Sequence, residues 1–509
     1  MSMFAYPSET IREAEKPLLE AGIPLMARAA RALANSAAAM LKADHGQVTG
    51  TRVSVLAGPG NNAGDALFAA ATLGRRGAAV TVITLFDRTH DDGLAAAHSA
   101  GAQVIAFTSA ESDAARADAL RELSRADLVL DGILGTGGRR GLPDHISSLT
   151  ADWAPHRTGR LIAVDVPSDL DPNHTGAEKR LHADHTVTFG GLKTELIDPR
   201  VDEFTGTIDV IDIGLGLDPS SAAAELLDRD DLVSGFPRPD GAGHKYSRGV
   251  TGVLAGSEDY PGAGVLTTTS AVNTGAGMVR YLGSPLVAEY VLGLHPEVVN
   301  ASGRIDSVVL GPGDPESEFV QGVAEALAGN RTPVVVDAGG LDMIARAETM
   351  AGTWLADRPL IITPHAAELA RLLSRLLGEI ITAGRIGTNP MRWARRAAEL
   401  TGAIVLLKGH HTVIAAPDGH VVLPTSGPGT LATAGSGDVL AGILGTLAAI
   451  TAAHGRYDSE DRTRPPREWA RLAGLGVLLH NEAGRRAVTA SGLADALAEV
   501  VGELIHGTD

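Results

Sequence analysis

Cysteine is absent from the 509 residues. That excludes disulfides, thiolate nucleophiles and Cys-ligated zinc or iron–sulfur centres, and it fits a reducing compartment. Positive charge is also short: 43 Lys and Arg stand against 61 Asp and Glu, for a net charge of −18. Such a balance argues against non-specific binding to nucleic acid and against an anionic membrane surface. Local phosphate binding stays open, because backbone N–H groups and helix N-termini can do it without bulk charge. A long apolar run is missing too. "VLAGILGTLAAITAA" (439–453) is shorter than the roughly 20 residues of a membrane span, and it carries Gly and Thr. The first residues, "MSMFAYPSETIREAEKP", show no basic start followed by an apolar stretch, so no signal peptide is expected. The expectation is a soluble, cytoplasmic protein with neither a nucleic-acid nor a membrane partner.

The apolar fraction of 44% is ample for a large core, and 509 residues are too many for one ordinary domain. In the first half, "TRVSVLAG" (51–58), "AVTVITLF" (79–86), "ADLVLDGILG" (126–135), "RLIAVDVPS" (160–168) and "TIDVIDIG" (207–214) read as buried strands. Helical stretches such as "DALFAAATLGRRG" separate them, and an amphipathic arm precedes them. Continuous apolar strands alternating with helices predict a mainly parallel sheet covered on both faces, a Rossmann-like three-layer sandwich. Between about 217 and 245 the chain turns acidic, then rich in Pro and Gly, with no strand pattern. Strand-like runs resume with "GVTGVLAG" (249–256), "DSVVLGPG" (306–313), "TPVVVDAGG" (332–340), "PLIITPH" (359–365) and "AIVLLKG" (403–409). The reading is α/β in two domains, 1–217 and 241–509, joined by a linker at 218–240. Ligands of open α/β sheets bind at the carboxyl ends of the strands, where both halves are rich in Gly.

One helix start is unusually bare. In "TLATAGSGDVLAGILG" (430–445), Gly435 and Gly437 let the backbone aim its N–H groups, including that of Ser436, at one point. The helix dipole adds about half a positive charge there, which makes an anion hole. Asp438 has the wrong charge to bind phosphate itself. It is placed to take a proton from a hydroxyl that receives a phosphoryl group. A capped helix after a flexible turn is the plainer alternative for this motif alone.

Three more motifs precede it in order: "GPGD" (311–314), "TPHAAE" (363–368) and "KGHHT" (408–412). Together with "HKYSRG" (244–249) and "SEDYPGAGVL" (257–266), the set resembles the NAD(P)H-hydrate dehydratases of the ribokinase-like superfamily, over about residues 226–505. The resemblance implies a ribokinase-like domain that uses ADP, with Mg²⁺, to dehydrate NADHX and NADPHX, releasing AMP and phosphate. It implies nucleotide contacts from Lys408, Gly409, His410, His411 and Thr412, and from Gly435, Ser436 and Gly437. It implies hydrate contacts from Ala263, Gly313, His365 and Asp438. His410 and His411 are expected to point to opposite faces of a strand and so to form no metal site. Gly339 and Gly340 depart from the family pattern, in a loop.

The first half repeats the theme at "LAGPGNNAGDALFAA" (56–70), where Asn and Asp oxygens join the glycines at a strand end. They suit a hard cation or a ribose-phosphate ligand. "DGILGTGGRRG" (131–141) and "VDVPSDLDPNHTG" (164–176) mark further strand ends, so Asn62, Asp131 and Ser168 can converge on one cation. Asn, Asp and Gly serving only as turn formers is the alternative. The set resembles the NAD(P)H-hydrate epimerases over about residues 5–215. That resemblance implies K⁺ held by Asn62, Asp131 and Ser168. It also implies substrate contacts from Asn61, Asn62, Ala63, Gly64 and Asp65, from Gly135, Thr136, Gly137, Gly138, Arg139, Arg140 and Gly141, and from Asp165. Asp165 is the candidate acid/base and Lys193 its partner.

This half departs further from its family. Ala63 and Ala66 stand where NNGGDG has glycines, Asp169 replaces the Gly of PSG, and Ala27 stands where an acid is common. A Cβ at a turn needing positive φ costs about 1 kcal/mol. Two readings therefore stay beside the bifunctional one: a first half reduced to a binding or oligomerisation module, and a vitamin-precursor kinase. A homo-oligomer is expected, with the Ala-rich arm packing on a neighbour.

Overall fold

The computed structural model describes residues 3–109, 113–136, 141–170, 181–198, 200–239, 243–313, 317–327, 331–344, 358–458 and 464–507. Gly137, Gly138, Arg139 and Arg140 lie outside them. The chain divides into two compact units, Phe4–Ala223 and Ala224–Asp509.

Strands of the first unit are β1 (Met3–Tyr6), β2 (Arg52–Ala57), β3 (Ala79–Thr84), β4 (Gln103–Ala106), β5 (Leu128–Gly132), β6 (Arg160–Val164), β7 (His185–Phe189), β8 (Leu192–Lys193) and β9 (Thr207–Ile211). Seven of them form a sheet in the order β4-β3-β2-β5-β6-β7-β9, parallel throughout. Side chains alternate between two cores. β2 sends Val53, Val55 and Ala57 into one, with the helices Leu25–His45 and Asn61–Arg75, and Leu56 into the other, with Leu123, Leu149 and Trp153. Burial on both faces is why these strands read as unbroken apolar runs. The order reverses between β2 and β5, so the loops leaving their carboxyl ends part and open a crevice there. β1 and β8 pair in parallel outside the seven-stranded sheet, with Tyr6 opposite Lys193.

The second unit contains β10 (Ala224–Leu227), β11 (Val250–Leu254), β12 (Met278–Tyr281), β13 (Ser307–Leu310), β14 (Val334–Val336), β15 (Leu360–Ile362), β16 (Ile404–Leu407), β17 (Val413–Ala415) and β18 (Val421–Pro424). Their order is β12-β11-β13-β14-β15-β16-β17-β18-β10. Pairing is parallel from β12 to β16, antiparallel through β17 and β18, and parallel again to β10. A second order reversal falls between β11 and β13. The helix Ser436–Asp458 packs on the sheet beside the helix Pro261–Asn273, in a core with Val309, Val335 and Leu444. Its stretch Ser436–His454 is long and apolar enough to cross a membrane, but 78% of that window is buried as a core helix.

The expected strands form, trimmed at their ends. The expected linker at 218–240 does not hold throughout. Ala224–Leu227 is a strand registered on β18, and Arg229–Gly235 is a helix whose start is a capping box between Asp228 and Asp231. A four-residue strand is too short to show periodicity, and the acidic run that resembled a solvated connector is the cap.

Candidate active sites

The first crevice is a cleft of about 740 Å³ lined by Glu15, Asn62, Asp65, Gly135, Thr136, Asp165 and Lys193, among others. Asn61, Asn62, Ala63, Gly64 and Asp65 form the opening turns of the helix that follows β2, whose start has no side-chain cap and borders the cleft. Ala63 and Ala66 sit inside this helix, outside the residues with positive φ. The expected backbone cost of these two alanines is therefore absent. They replace glycine in helical conformation, where Ala is the better residue.

Asp165 follows β6 in a left-handed conformation, φ 66°. Its Oδ1 accepts from Lys193 Nζ at 2.5 Å, from Thr188 Oγ1 at 3.1 Å and from the Phe189 N–H at 3.5 Å. Lys193 is buried, and it also donates to Thr188 Oγ1 (2.9 Å) and to the Phe189 carbonyl (2.7 Å). All three ammonium protons are thus directed at fixed acceptors. Glu15 and Asp65 share the cleft. Burial pushes both carboxyls above the usual range, with Asp165 adding repulsion and Lys193 opposing it; Asp65 is raised well above it.

Asp131 and Ser168 come together as expected. Fully buried, Asp131 accepts from the Ser168 hydroxyl (2.5 Å) and N–H (2.8 Å) and from the Ile133 N–H (3.3 Å). Burial raises its carboxyl, and the Ser168 bonds oppose that. Asn62 stands at the crevice against Gly135, and its buried Nδ2 has no hydrogen-bond partner. Asp169, in place of the family's glycine, has φ 64°. This substitution does impose strain, and Asp169 Oδ1 answers it by accepting from the Gly141 N–H at 2.8 Å.

In the second unit, Gly313, Asp337, His365 and Lys408 follow β13, β14, β15 and β16, all at carboxyl ends. Gly313 has φ 71°, and a Cβ there would lie 2.7 Å from that of Ala263, so the two expected hydrate contacts are neighbours at the order reversal. Gly340 is equally confined, since a Cβ would meet Val336 Cγ1 at 2.9 Å. Lys408 Nζ donates to buried Asp337 Oδ1 at 2.6 Å. The Gly435 turn, φ 87°, aims the helix start at this pair: a Cβ on Gly437 would stand 3.3 Å from Lys408 Nζ and 3.6 Å from Asp337 Oδ2. Asp438 is half-buried beside them. Burial first, then Asp337, raises its pKa to about 6, while Lys408 pulls it down.

His480 supports the turn from behind, with Nε2 3.0 Å from the Ser436 carbonyl and 3.2 Å from its hydroxyl. Burial lowers its pKa to about 4, so it is a neutral imidazole. Neither His480 nor Asp337 was among the residues expected from sequence. His365 caps its helix, with Nδ1 accepting from the N–H groups of Ala367 and Glu368 and Glu368 returning the bond. That fixes the tautomer and leaves Nε2 on an exposed ring. His410 and His411 lie in the turn after β16, not on a strand. Their rings meet at 4.4 Å between centroids, so the expectation of opposite faces fails. No group of three or more His, Asp or Glu suited to a metal occurs among the described residues.

A family model described as NAD(P)H-hydrate dehydratase matches residues 251–505, and one described as YjeF-related protein N-terminus matches 22–195. The bifunctional NAD(P)H-hydrate repair enzyme Nnr of Mycobacterium tuberculosis is 40% identical over 462 residues, 87% of this chain and 89% of its own. An NAD(P)H-hydrate epimerase of Microbacterium testaceum is 42% identical over 244 residues, 46% of this chain and 88% of its own. Among solved structures, the ADP/ATP-dependent NAD(P)H-hydrate dehydratase of Bacillus subtilis, co-crystallised with ATP and Mg²⁺, is 26% identical and covers 54% of this chain and 96% of its own, at a TM-score of 0.44. With matches to both halves, and relatives aligned along most of its length, the chain belongs to the bifunctional NAD(P)H-hydrate repair enzymes.

Proposed function

We propose that the chain repairs hydrated nicotinamide cofactors, its first unit interconverting R and S NAD(P)HX and its second dehydrating the S form with ADP. The observation that carries the dehydratase is Asp438, a carboxylate with a pKa near 6 at the mouth of a backbone anion hole and beside the Lys408–Asp337 pair. The hydrate's C6 hydroxyl is a poor leaving group. Asp438 takes its proton as the oxygen attacks the terminal phosphoryl group of ADP. The N–H groups of Ser436 and Gly437 and the Lys408 ammonium hold the charge that develops. AMP leaves, the ring nitrogen lone pair then expels phosphate to leave an N1=C6 iminium, and loss of a C5 proton to the departing phosphate restores the dihydropyridine. Lys408, Gly409, His410, His411 and Thr412 border the nucleotide, and Ala263, Gly313 and His365 border the hydrate. Mg²⁺ would travel with the nucleotide phosphates and offset their charge. Asp337 Oδ2, the oxygen not bonded to Lys408, is a hard donor that suits it.

In the first unit Asp165 is the acid/base and Lys193 its positioning partner. A monovalent cation suits the donors present: the fully buried Asp131 carboxylate, the Ser168 hydroxyl, and the Asn62 amide, whose unpartnered end is an oxygen if the amide is turned over. Asn62, Asp131 and Ser168 would hold K⁺, which would anchor the substrate's phosphates. Exposed Leu286, Tyr290, Leu292 and Leu294 on one helix support self-association, and a cytoplasmic location goes with this reading.

Absorbance at 340 nm tests the reading on mixed-epimer NADHX. Full recovery with ADP, after subtraction of spontaneous epimerisation, supports two active units. Recovery that stops at the S fraction removes the epimerase, and none with ADP or ATP removes the dehydratase.

A further inference from the structure

Inverting C6 of the hydrate requires a proton to be given as well as taken. The Asp165–Lys193 pair supplies only the second. Lys193 is buried with its protons directed at Asp165, Thr188 and the Phe189 carbonyl, so releasing one would break a bond with no replacement at hand. The bonds that fix Asp165 fall on Oδ1.

The cleft contains another carboxyl, Asp65, on the first turns of the helix Asn61–Arg75. Its Oδ1 is buried and has no hydrogen-bond partner. An ionised carboxylate left in that state is costly, whereas a protonated one has an O–H to offer an incoming ligand. Its surroundings act in the same direction: burial comes first, then the negative charges of Asp165 and Glu15, with Lys193 alone opposing.

We propose that Asp65 is a second catalytic proton carrier of the epimerase, giving a proton on one side of the nicotinamide ring while Asp165 takes one on the other. This rests on the epimerase reading above and adds a residue to it. Asp65 protonates the C6 hydroxyl; the C6–O bond breaks as the N1 lone pair forms an N1=C6 iminium, and water leaves. A second water adds to the opposite face of C6, the iminium electrons return to N1, and the proton from that water goes to Asp165 Oδ2. One water is lost and one gained, no oxidant or reductant is needed, and one proton has moved from Asp65 to Asp165. Exchange with solvent through the open cleft resets the pair, and the reverse reaction uses the same groups with their roles exchanged. Two carboxyls, one ion-paired with Lys193 and the other buried without a hydrogen-bond partner, make an acid/base set in this way.

The test uses the full chain and R-enriched NADHX, following R to S conversion by chromatography, with dehydration of purified S hydrate as a folding control in the same preparation. Asp65→Asn is expected to lower epimerase kcat at least 100-fold with KM within threefold and dehydration unchanged; Asp65→Glu is expected to restore kcat to within tenfold. In H₂¹⁸O the wild-type protein is expected to place one ¹⁸O on each inverted hydrate, beyond the spontaneous exchange. A kcat unchanged in Asp65→Asn, or a change confined to KM, overturns the proposal and leaves Asp65 a binding contact. Inversion without ¹⁸O overturns it as well, because ring opening would then replace loss of water. If the wild type does not exceed spontaneous epimerisation, the epimerase reading itself fails, an outcome distinct from either.

Discussion

Lys408 and Asp337 follow the outer two of three adjacent parallel strands, yet their charged atoms meet at 2.6 Å across the end of the strand between them. The pair does two things at once. It fixes a cation beside the anion hole, and it places a second carboxylate near Asp438, which raises the pKa of that residue.

Removing the charge of Asp337 separates the two effects. Asp337→Asn takes away a contribution that raises Asp438 and leaves Lys408, which lowers it. The acidic limb of dehydratase kcat/KM, set by a base with a pKa of about 6, should therefore move to lower pH in the variant. A limb that stays in place would mean that Asp438 is not the base.

Asp438 and His480 also tie folding stability to pH, with opposite signs. Asp438 is raised to about 6 in the folded chain, so the native state holds an extra proton between roughly pH 4 and 6, and stability falls as pH rises through that window. His480 is lowered to about 4, so the unfolded chain binds the extra proton, and stability rises with pH from about 4 to 6.5. Each contribution is on the order of 3 kcal/mol. Urea melts across this range should show the rise in Asp438→Asn, where the opposing group is gone, and the fall in His480→Gln.

Gly437→Ala probes the anion hole without a gross clash. The new Cβ would face Lys408 Nζ at 3.3 Å, the far end of a flexible side chain, so the melting temperature should move little. Space meant for phosphate is filled, however, and KM for ADP should rise tenfold or more in steady-state dehydration.

The left-handed position at Asp169 makes a two-variant comparison. Asp169→Gly gives up the bond to the Gly141 N–H but relieves about 1 kcal/mol of backbone strain, and should be neutral to within about 0.5 kcal/mol. Asp169→Ala keeps the strain and loses the bond, at a cost of about 1–2 kcal/mol. Chemical denaturation of the two variants checks the difference.

The central strands were legible because both faces are buried, so β2, β5 and β13 appear as apolar runs. The edge strand Gln103–Ala106 was not, being mostly exposed, and neither was the interior strand His185–Phe189, where threonines interrupt the apolar signal. The glycines and the aspartates Asp165 and Asp438 were legible because motifs fix their place. Asp337 was not singled out, since one acid at a strand end resembles many others; its meaning lies in Lys408, 71 residues away. His480 is hidden in an apolar helix, where nothing local points to Ser436. Glu15 belongs to an amphipathic arm whose polar face gives no sign of turning into a cleft.

That arm has a practical bearing on where the protein can be cut. The family model that matches the first half of the chain begins at residue 22. Ahead of it, Ser8 binds Glu195 at 3.0 Å, Tyr6 lies beside Lys193 in the β1–β8 pair, and Arg12 and Glu15 line the cleft. A clone trimmed to the recognisable boundary would keep the whole seven-stranded sheet and lose one wall of the chamber, together with the strand that braces Lys193. Expression designs, affinity tags and cleavage sites at the front of this chain therefore act on the active site, not merely on a handle.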